Sequence, residues 1–354
     1  MSSGSTSDPL HTHWPDTDLE HVDRCPVCMG KDCEPLHHGL TDDAFCVAPG
    51  RWQMWRCLRC RAGYLSPRPT PSSIMRAYST YYTHSSTAPF APARDWRARL
   101  ENGYINARYG GRKTPSSRLG PWVFRLLGIR RSAIDRTYRH LPRPSGPARL
   151  LDVGCGDGAF LTVARECGWL ASGVEPDPVA AGMARRAGFE VHAGSVETLA
   201  GQSGTFDAIT LSHVIEHVHE PVRTLRTCLE LLRPGGWIWI ETPNLDSEGH
   251  RIYGGHWRGL EPPRHLVMFD RAALEQALLS AGFVGIRDEA VPSSREAMFR
   301  QSEAIRLGQH PGLTDSSLPR LPPDASRACR HAHLAERWLG WSREFLTCSA
   351  QRPE

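Results

Sequence analysis

Residues 149–158 read Arg149-Leu-Leu-Asp152-Val-Gly154-Cys155-Gly156-Asp157-Gly158. An unbroken apolar run ending in an acid reads as a parallel strand covered on both faces, because a half-exposed strand would alternate. Three glycines follow at every second position. They let the chain turn sharply and let a ligand approach bare backbone, with no Cβ between them. The next segment opens a helix near Asp157, and strand, glycine turn and helix in that order start a doubly wound α/β domain.

Working outward, the same alternation continues. Helix 157–167 stops at Gly168, and strand Leu170–Glu175 ends in Glu175-Pro176-Asp177. A carboxylate at the end of a second strand can accept both hydroxyls of a ribose, so Glu175 is the candidate for that contact. Asp177 caps helix 178–187, which stops at Gly188. Strands Phe189–Ala193 and Phe206–Ser212 come next, then His213-Val-Ile-Glu216-His217 and a helix from Pro221 to Leu232. Arg233-Pro-Gly-Gly236 turns into strand Trp237–Thr242; Asp270 caps helix 271–281, strand Phe283–Val291 follows, and Arg343–Ser349 reads as a final strand. The expected fold is an α/β domain over 148–354 with a seven-stranded, mostly parallel doubly wound sheet. Residues 292–340, rich in Pro, Ser and His, read as a cap inserted before the last strand.

Ahead of this domain stand Cys25-Pro-Val-Cys28 and Cys57-Leu-Arg-Cys60. Each turn brings two sulfurs to one ion, and four thiolates complete a tetrahedral zinc shell with no open position, so the expected zinc is structural. Trp52, Met54 and Trp55 between the pairs supply a hairpin and a small core. This sets out a zinc-ribbon-like module over 21–70, behind a polar 1–20 expected to be disordered and before a helical linker or lid over 71–147. The lid includes helical stretches at Ile74–Tyr82 and Trp122–Leu127.

The chain has 354 residues, 40% of them hydrophobic and 23% charged, as in ordinary globular proteins. No apolar run is long enough to span a bilayer and no leader pattern opens the chain. The net charge is +4; Lys31 and Lys113 are the only lysines, and no block of basic residues points to nucleic acid. Eleven cysteines, an odd number with several standing singly, suit metal-bound thiolates in a reducing cytoplasm better than a disulfide framework.

Leu-Leu-Asp-Val-Gly-Cys-Gly-Asp-Gly resembles the first motif of class I S-adenosylmethionine-dependent methyltransferases. With the paired CxxC turns and the segment Thr242-Pro-Asn…Trp257-Arg-Gly-Leu-Glu-Pro-Pro-Arg-His265, the chain is similar over residues 25–290 to the subgroup with an N-terminal zinc module. That subgroup includes sugar C-methyltransferases and enzymes of natural-product and surface-polysaccharide pathways. The resemblance implies that Asp152, Gly154, Cys155, Gly156, Glu175, Pro176 and Ser212 line the cofactor. Ser195 stands where the family often carries an acid for the adenine, leaving that contact to Ser195, Val196 or Glu197. Two further departures are Arg61-Ala-Gly63 after the second cysteine pair and the lack of the sugar C-methyltransferases' extra C-terminal domain.

The implied reaction is methyl transfer to a small-molecule or sugar acceptor, expected at oxygen, with a histidine to take the proton. Three histidines are candidates: His213 and His217, four apart just past a strand end, and His265, at the position of the Glu-His pair of sugar C-methyltransferases, with Arg264 in place of the Glu. The same residues, with Glu216, also resemble the divalent-metal site of small-RNA 2′-O-methyltransferases, and ubiquinone-type O-methyltransferases share the Glu-His. A second metal would lower the acceptor's pKa, and this many imidazoles favour an ion softer than magnesium. The alternative substrate is RNA held by the zinc module, against which the modest charge stands.

Overall fold

The structure, a computed structural model, describes residues 13–78, 95–289, 295–309, 318–339 and 343–354. Part of the amino-terminal stretch expected to be disordered has a defined place. Trp14 is buried edge-on against Trp52 at 5.6 Å. Strand β1 (Leu19–Glu20) pairs antiparallel with β5 (Arg68–Pro69). An indole that can reach an apolar partner outweighs the polar composition around it. Residues 1–12 and the expected helical positions 79–82 lie outside the described residues.

Strands β2 (Cys33–Leu40), β3 (Trp52–Cys57) and β4 (Gly63–Leu65) form an antiparallel meander, with the second cysteine pair in the turn between β3 and β4. A fourth strand, β11 (Val267–Met268), arrives from the α/β domain and pairs with β4, Val267 opposite Tyr64 and Met268 opposite Gly63. A Cβ on Gly63 would lie 2.9 Å from Leu245 and 3.3 Å from Met268, so glycine permits this closure.

Three helices follow, α1 (Trp96–Tyr109), α2 (Gly120–Leu126) and α3 (Gly128–Thr137). Asp95 caps α1 by accepting from the Ala98 amide at 2.9 Å. The α1 and α2 backbones nearly touch, since a Cβ on Gly120 would fall 2.1 Å from the Leu100 carbonyl oxygen. Tyr104 and Tyr109 both donate to buried Asp135, at 2.7 and 2.5 Å, fastening α1 to α3.

The α/β domain contains β6 (Ala148–Val153), α4 (Ala159–Glu166), β7 (Trp169–Glu175), α5 (Pro178–Arg186), β8 (Glu190–Ala193), β9 (Phe206–Ser212), α6 (Pro221–Leu231), β10 (Leu232–Pro243) and α7 (Glu248–Tyr253). After β11 come α8 (Arg271–Ala281), β12 (Val284–Asp288), α9 (Arg295–Arg306), α10 (Pro323–Leu339) and β13 (Phe345–Gln351). The sheet has seven strands in the order β12-β13-β10-β9-β6-β7-β8. β6 to β10 pair in parallel, and β13 runs antiparallel between β10 and β12, as the sequence led us to expect. β10 begins earlier than the predicted strand: Leu232 already pairs with Phe206, and the register shifts across Arg233-Pro-Gly-Gly before Trp237 meets Ala208. The order reverses between β6 and β9, so the carboxyl ends of these strands open a crevice there, where such folds bind ligands.

Candidate active site

The glycine loop sits at that switch point. The Gly154 and Cys155 amides both donate to the Val174 carbonyl, at 2.8 and 3.2 Å, which bends the loop over the end of β7. Gly156 has φ +55°, and a Cβ built on it meets nothing within 4 Å, so bare backbone faces open space. Glu175 is buried; its Oε2 accepts from the Gly156 amide at 2.8 Å and its Oε1 from the Asp177 amide at 2.9 Å. Burial raises its pKa, while these two N–H groups act in the opposite sense. Each oxygen keeps a further lone pair. The Cys155 thiol turns away from the loop opening: a Cβ on Gly173 would meet its Sγ at 2.4 Å, so only its main chain lies in the loop. Pro176 and Ser195 are exposed on the same edge, Val196 is buried at the start of a 3-10 turn, and Ser212 closes β9 half-buried.

Asp152 lies deeper, 1% exposed, and accepts from Thr210 at 2.8 Å and from Arg139. Arg139 was not anticipated. It follows α3 with φ +46°, and its guanidinium carbon lies 3.6 Å from the centre of the Phe160 ring. Burial raises the Asp152 pKa and Arg139 opposes that rise. Asp152 Oδ2 has no partner among the described residues.

Beside the loop, Val214 touches Gly154, bringing residues 213–217 against it. His213 has φ +54°, and its ring lies between two buried acids, Glu216 and Glu241, each 3.3 Å away. Burial alone would lower its pKa, but these carboxylates raise it to about 9. His213 is therefore an imidazolium at neutral pH. Glu241 also accepts from Arg136 at 2.8 Å and from Thr347 at 3.2 Å, and, against its burial, His213 and Arg136 hold it at about 2. An acid within the apolar run Trp-Ile-Trp-Ile-Glu was the signal that could have exposed this network, since such a charge is buried only with partners.

Glu216, His217 and His265 bring one ligand atom each within 4.8 Å of one another. The histidine rings meet edge-on at 4.6 Å. His217 Nδ1 lies 3.0 Å from the Arg264 carbonyl oxygen and 2.9 Å from the Tyr78 hydroxyl, and His265 Nδ1 lies 2.7 Å from the Gly259 carbonyl oxygen. A ring nitrogen against a carbonyl must carry the proton, and in a neutral imidazole the other nitrogen then keeps its lone pair. His265 is buried, which depresses its pKa to about 4, and so it is neutral. His213 lies at the edge of this trio through Glu216.

The positions of His217 and His265 depend on the cysteine module. Arg264, fully buried, bonds Asp42, Glu261 and the Ala77 carbonyl, with its guanidinium carbon 4.4 Å from the centre of the Phe45 ring. Strand β11 then continues from His265 into the module's sheet, and Arg61 pairs with Asp270 at 2.6 Å. In the module, Cys25, Cys28, Cys57 and Cys60 converge within the same 4.8 Å limit; Cys25 and Cys60 sulfurs are 3.4 Å apart, Cys28 and Cys57 3.5 Å. Tetrahedral zinc with bonds of about 2.3 Å spaces sulfurs by roughly 3.8 Å, so small movements would seat the ion.

A family model described as "Methyltransferase domain" matches residues 126–287. A ubiquinone biosynthesis O-methyltransferase of Methylocella silvestris is 31% identical over 181 residues, covering 46% of this chain and 68% of that protein. One from Aromatoleum aromaticum is 35% identical over 109 residues, covering 29% of this chain and 47% of the relative. A solved SAM-dependent methyltransferase from Archaeoglobus fulgidus aligns with 21% identity and a TM-score of 0.44, over 61% of this chain and 91% of that one.

Proposed function

This chain belongs to the S-adenosylmethionine-dependent methyltransferase family, and we propose that it methylates a hydroxyl oxygen of a small-molecule acceptor, a natural-product or sugar-containing precursor. The names of its relatives as O-methyltransferases support oxygen as the acceptor atom.

In this reading the glycine-loop backbone at Gly154 and Gly156 lies along the cofactor, and Glu175 accepts its ribose hydroxyls. Arg139 would offer its remaining N–H groups to the cofactor's carboxylate, and buried Asp152 would hold Arg139 in place. Ser195 and Val196 border the adenine, and Ser212 the methyl donor. The bound cofactor supplies an activated methyl on a sulfonium. The chain must hold the acceptor oxygen about 3 Å from that carbon and in line with the leaving sulfur.

One observation carries the assignment of the acceptor end. The Nδ1 atoms of His217 and His265 both lie against carbonyl oxygens, and each residue brings a ring nitrogen within 4.8 Å of a Glu216 carboxylate oxygen. Outer hydrogen bonds of this kind orient metal-binding imidazoles. These three residues would hold a divalent cation, which would supply Lewis acidity to the acceptor hydroxyl. Two imidazoles and a carboxylate suit zinc or iron better than magnesium. His265, buried and neutral, serves this role better than direct proton transfer from substrate. His213, 3.3 Å from both Glu216 and Glu241, would orient the Glu216 carboxylate at the edge of this site. The four cysteines would hold a structural zinc. Because the module closes on the α/β domain through Asp42 against Arg264 and through β4 against β11, its support of His265 favours a small acceptor over RNA.

The test is transfer of a labelled methyl group to a panel of hydroxylated small molecules and to RNA. It is run before and after chelation, with metal content measured alongside. We expect small-molecule O-methylation that chelation stops while about one zinc stays with the four cysteines. Methylation of RNA alone would contradict the acceptor assignment, and full activity in metal-free protein would contradict the cation site.

A further inference from the structure

The helices α1–α3 carry an electrostatic and apolar signature that methyl transfer does not use. Residues 95–139 hold eleven basic side chains against three acids, a net +8 within a chain whose total is +4. Arg118, Arg125 and Arg130 are exposed, and no carboxylate among the described residues pairs with them. The two tryptophans most exposed among the described side chains, Trp96 and Trp122, are both here. On and beside α2, Leu119, Trp122 and Leu126 follow at spacings of three and four, and so share one face. They are 64%, 68% and 87% exposed, while Gly120 and Phe124 occupy the buried face.

Next to this ridge, Arg108, Arg125 and Arg131 line a cleft with Tyr104, Pro121 and Asp135. Asp135 already accepts from the Tyr104 and Tyr109 hydroxyls, and Arg131 is 3.8 Å from it, so the cleft keeps an excess of positive charge. Guanidinium groups are suited to phosphate. Leucines beside tryptophans and arginines fit a water–lipid boundary, where aliphatic tips leave water, indoles sit at headgroup level and cations meet anionic headgroups. Binding of a single nucleic-acid strand would use aromatic faces and has no role for the leucines.

We propose that α1–α3 form a docking surface for an anionic phospholipid bilayer, with Leu119, Trp122 and Leu126 entering the headgroup layer and the arginine cleft taking a lipid phosphate. The contact is peripheral: no helix among the described residues is long and apolar enough to span a membrane. The surface also connects to the crevice. α3 carries Arg131 at the cleft and Arg136, which bonds Glu241, and the chain continues directly to Arg139 on Asp152.

The experiment is co-sedimentation of the full chain with phosphatidylcholine vesicles, with and without phosphatidylglycerol. Binding is expected only with the anionic lipid and should fall steeply at high salt. Trp122→Ser with Leu126→Ser should lower it at least about 10-fold, with zinc content and S-adenosylhomocysteine binding unchanged, since both positions are exposed. Arg125→Glu should weaken it independently. Equal binding to neutral vesicles, binding that survives the double substitution, or capture of an RNA oligonucleotide in place of vesicles would each overturn the proposal.

Discussion

Replacing Asp42 by Ala should destabilise the whole protein, because it removes the main counter-charge of a fully buried arginine. Asp42 is 1% exposed and Arg264 is 0% exposed. Asp42 receives both terminal nitrogens of Arg264, and also the amides of Phe45, Val47 and Ala48 at 3.3, 3.0 and 3.0 Å. Its loss leaves a guanidinium out of water with Glu261 as its remaining acid partner and three amides short of an acceptor. Breaking a buried pair in this way costs about 3–5 kcal/mol, or roughly 6–20 °C in unfolding midpoint at the usual conversion for domains of some 150–250 residues. A second change, Arg264→Met, removes the stranded charge, so the double variant should recover at least about 2 kcal/mol relative to Asp42→Ala. The assay is thermal and urea unfolding followed by tryptophan fluorescence, since Trp14 and Trp52 lie buried in the module. A loss under about 1 kcal/mol in Asp42→Ala, or a double variant no better than the sum of its parts, would refute the clamp.

His213 offers a pH test. Its pKa is about 9 in the folded chain against an ordinary 6.5, so its stabilisation is complete below 6.5 and lost as pH rises through 9. Stability of the native sequence should therefore fall across that interval while His213→Gln stays flatter, and imidazole resonances should show the proton retained above pH 8. A His213 that titrates near its ordinary value would remove its assigned charge. Gly156→Ala should weaken S-adenosylhomocysteine binding and cost about 1 kcal/mol of stability through its positive φ, measured by calorimetry and urea unfolding; unchanged affinity would mean the loop does not touch the ligand. Chelating the zinc proposed for the four cysteines should lower turnover as well as stability, because β11 carries the chain from His265 into that module's sheet. Intact turnover in zinc-free folded protein would separate the two.

What could be read from the sequence was local. The glycine loop, Glu175 at the end of β7, the CxxC turns and the His213–His217 stretch each declare themselves within about ten residues, because turn chemistry and metal spacing act over that range. The centre of the sheet could be read because β6, β9 and β10 carry buried apolar runs. Arg139 was hidden: it follows α3 in a linker with no periodicity, and only the fold brings it to Asp152. The Asp42–Arg264 clamp joins residues 222 apart, and β11, with two residues, is too short to carry a pattern. Composition misjudged Trp14, whose partner Trp52 lies in another element.

Calorimetric titration of the purified chain with S-adenosylhomocysteine, beside Glu175→Ala checked for an unchanged fold, tests the crevice most directly. We predict saturable binding by the native sequence at one site, weakened roughly 10- to 100-fold in the variant, as the loss of charge-assisted hydrogen bonds to two ribose hydroxyls requires. No binding by the native chain, or equal affinity in Glu175→Ala, would contradict the assignment of this crevice to the methyl donor.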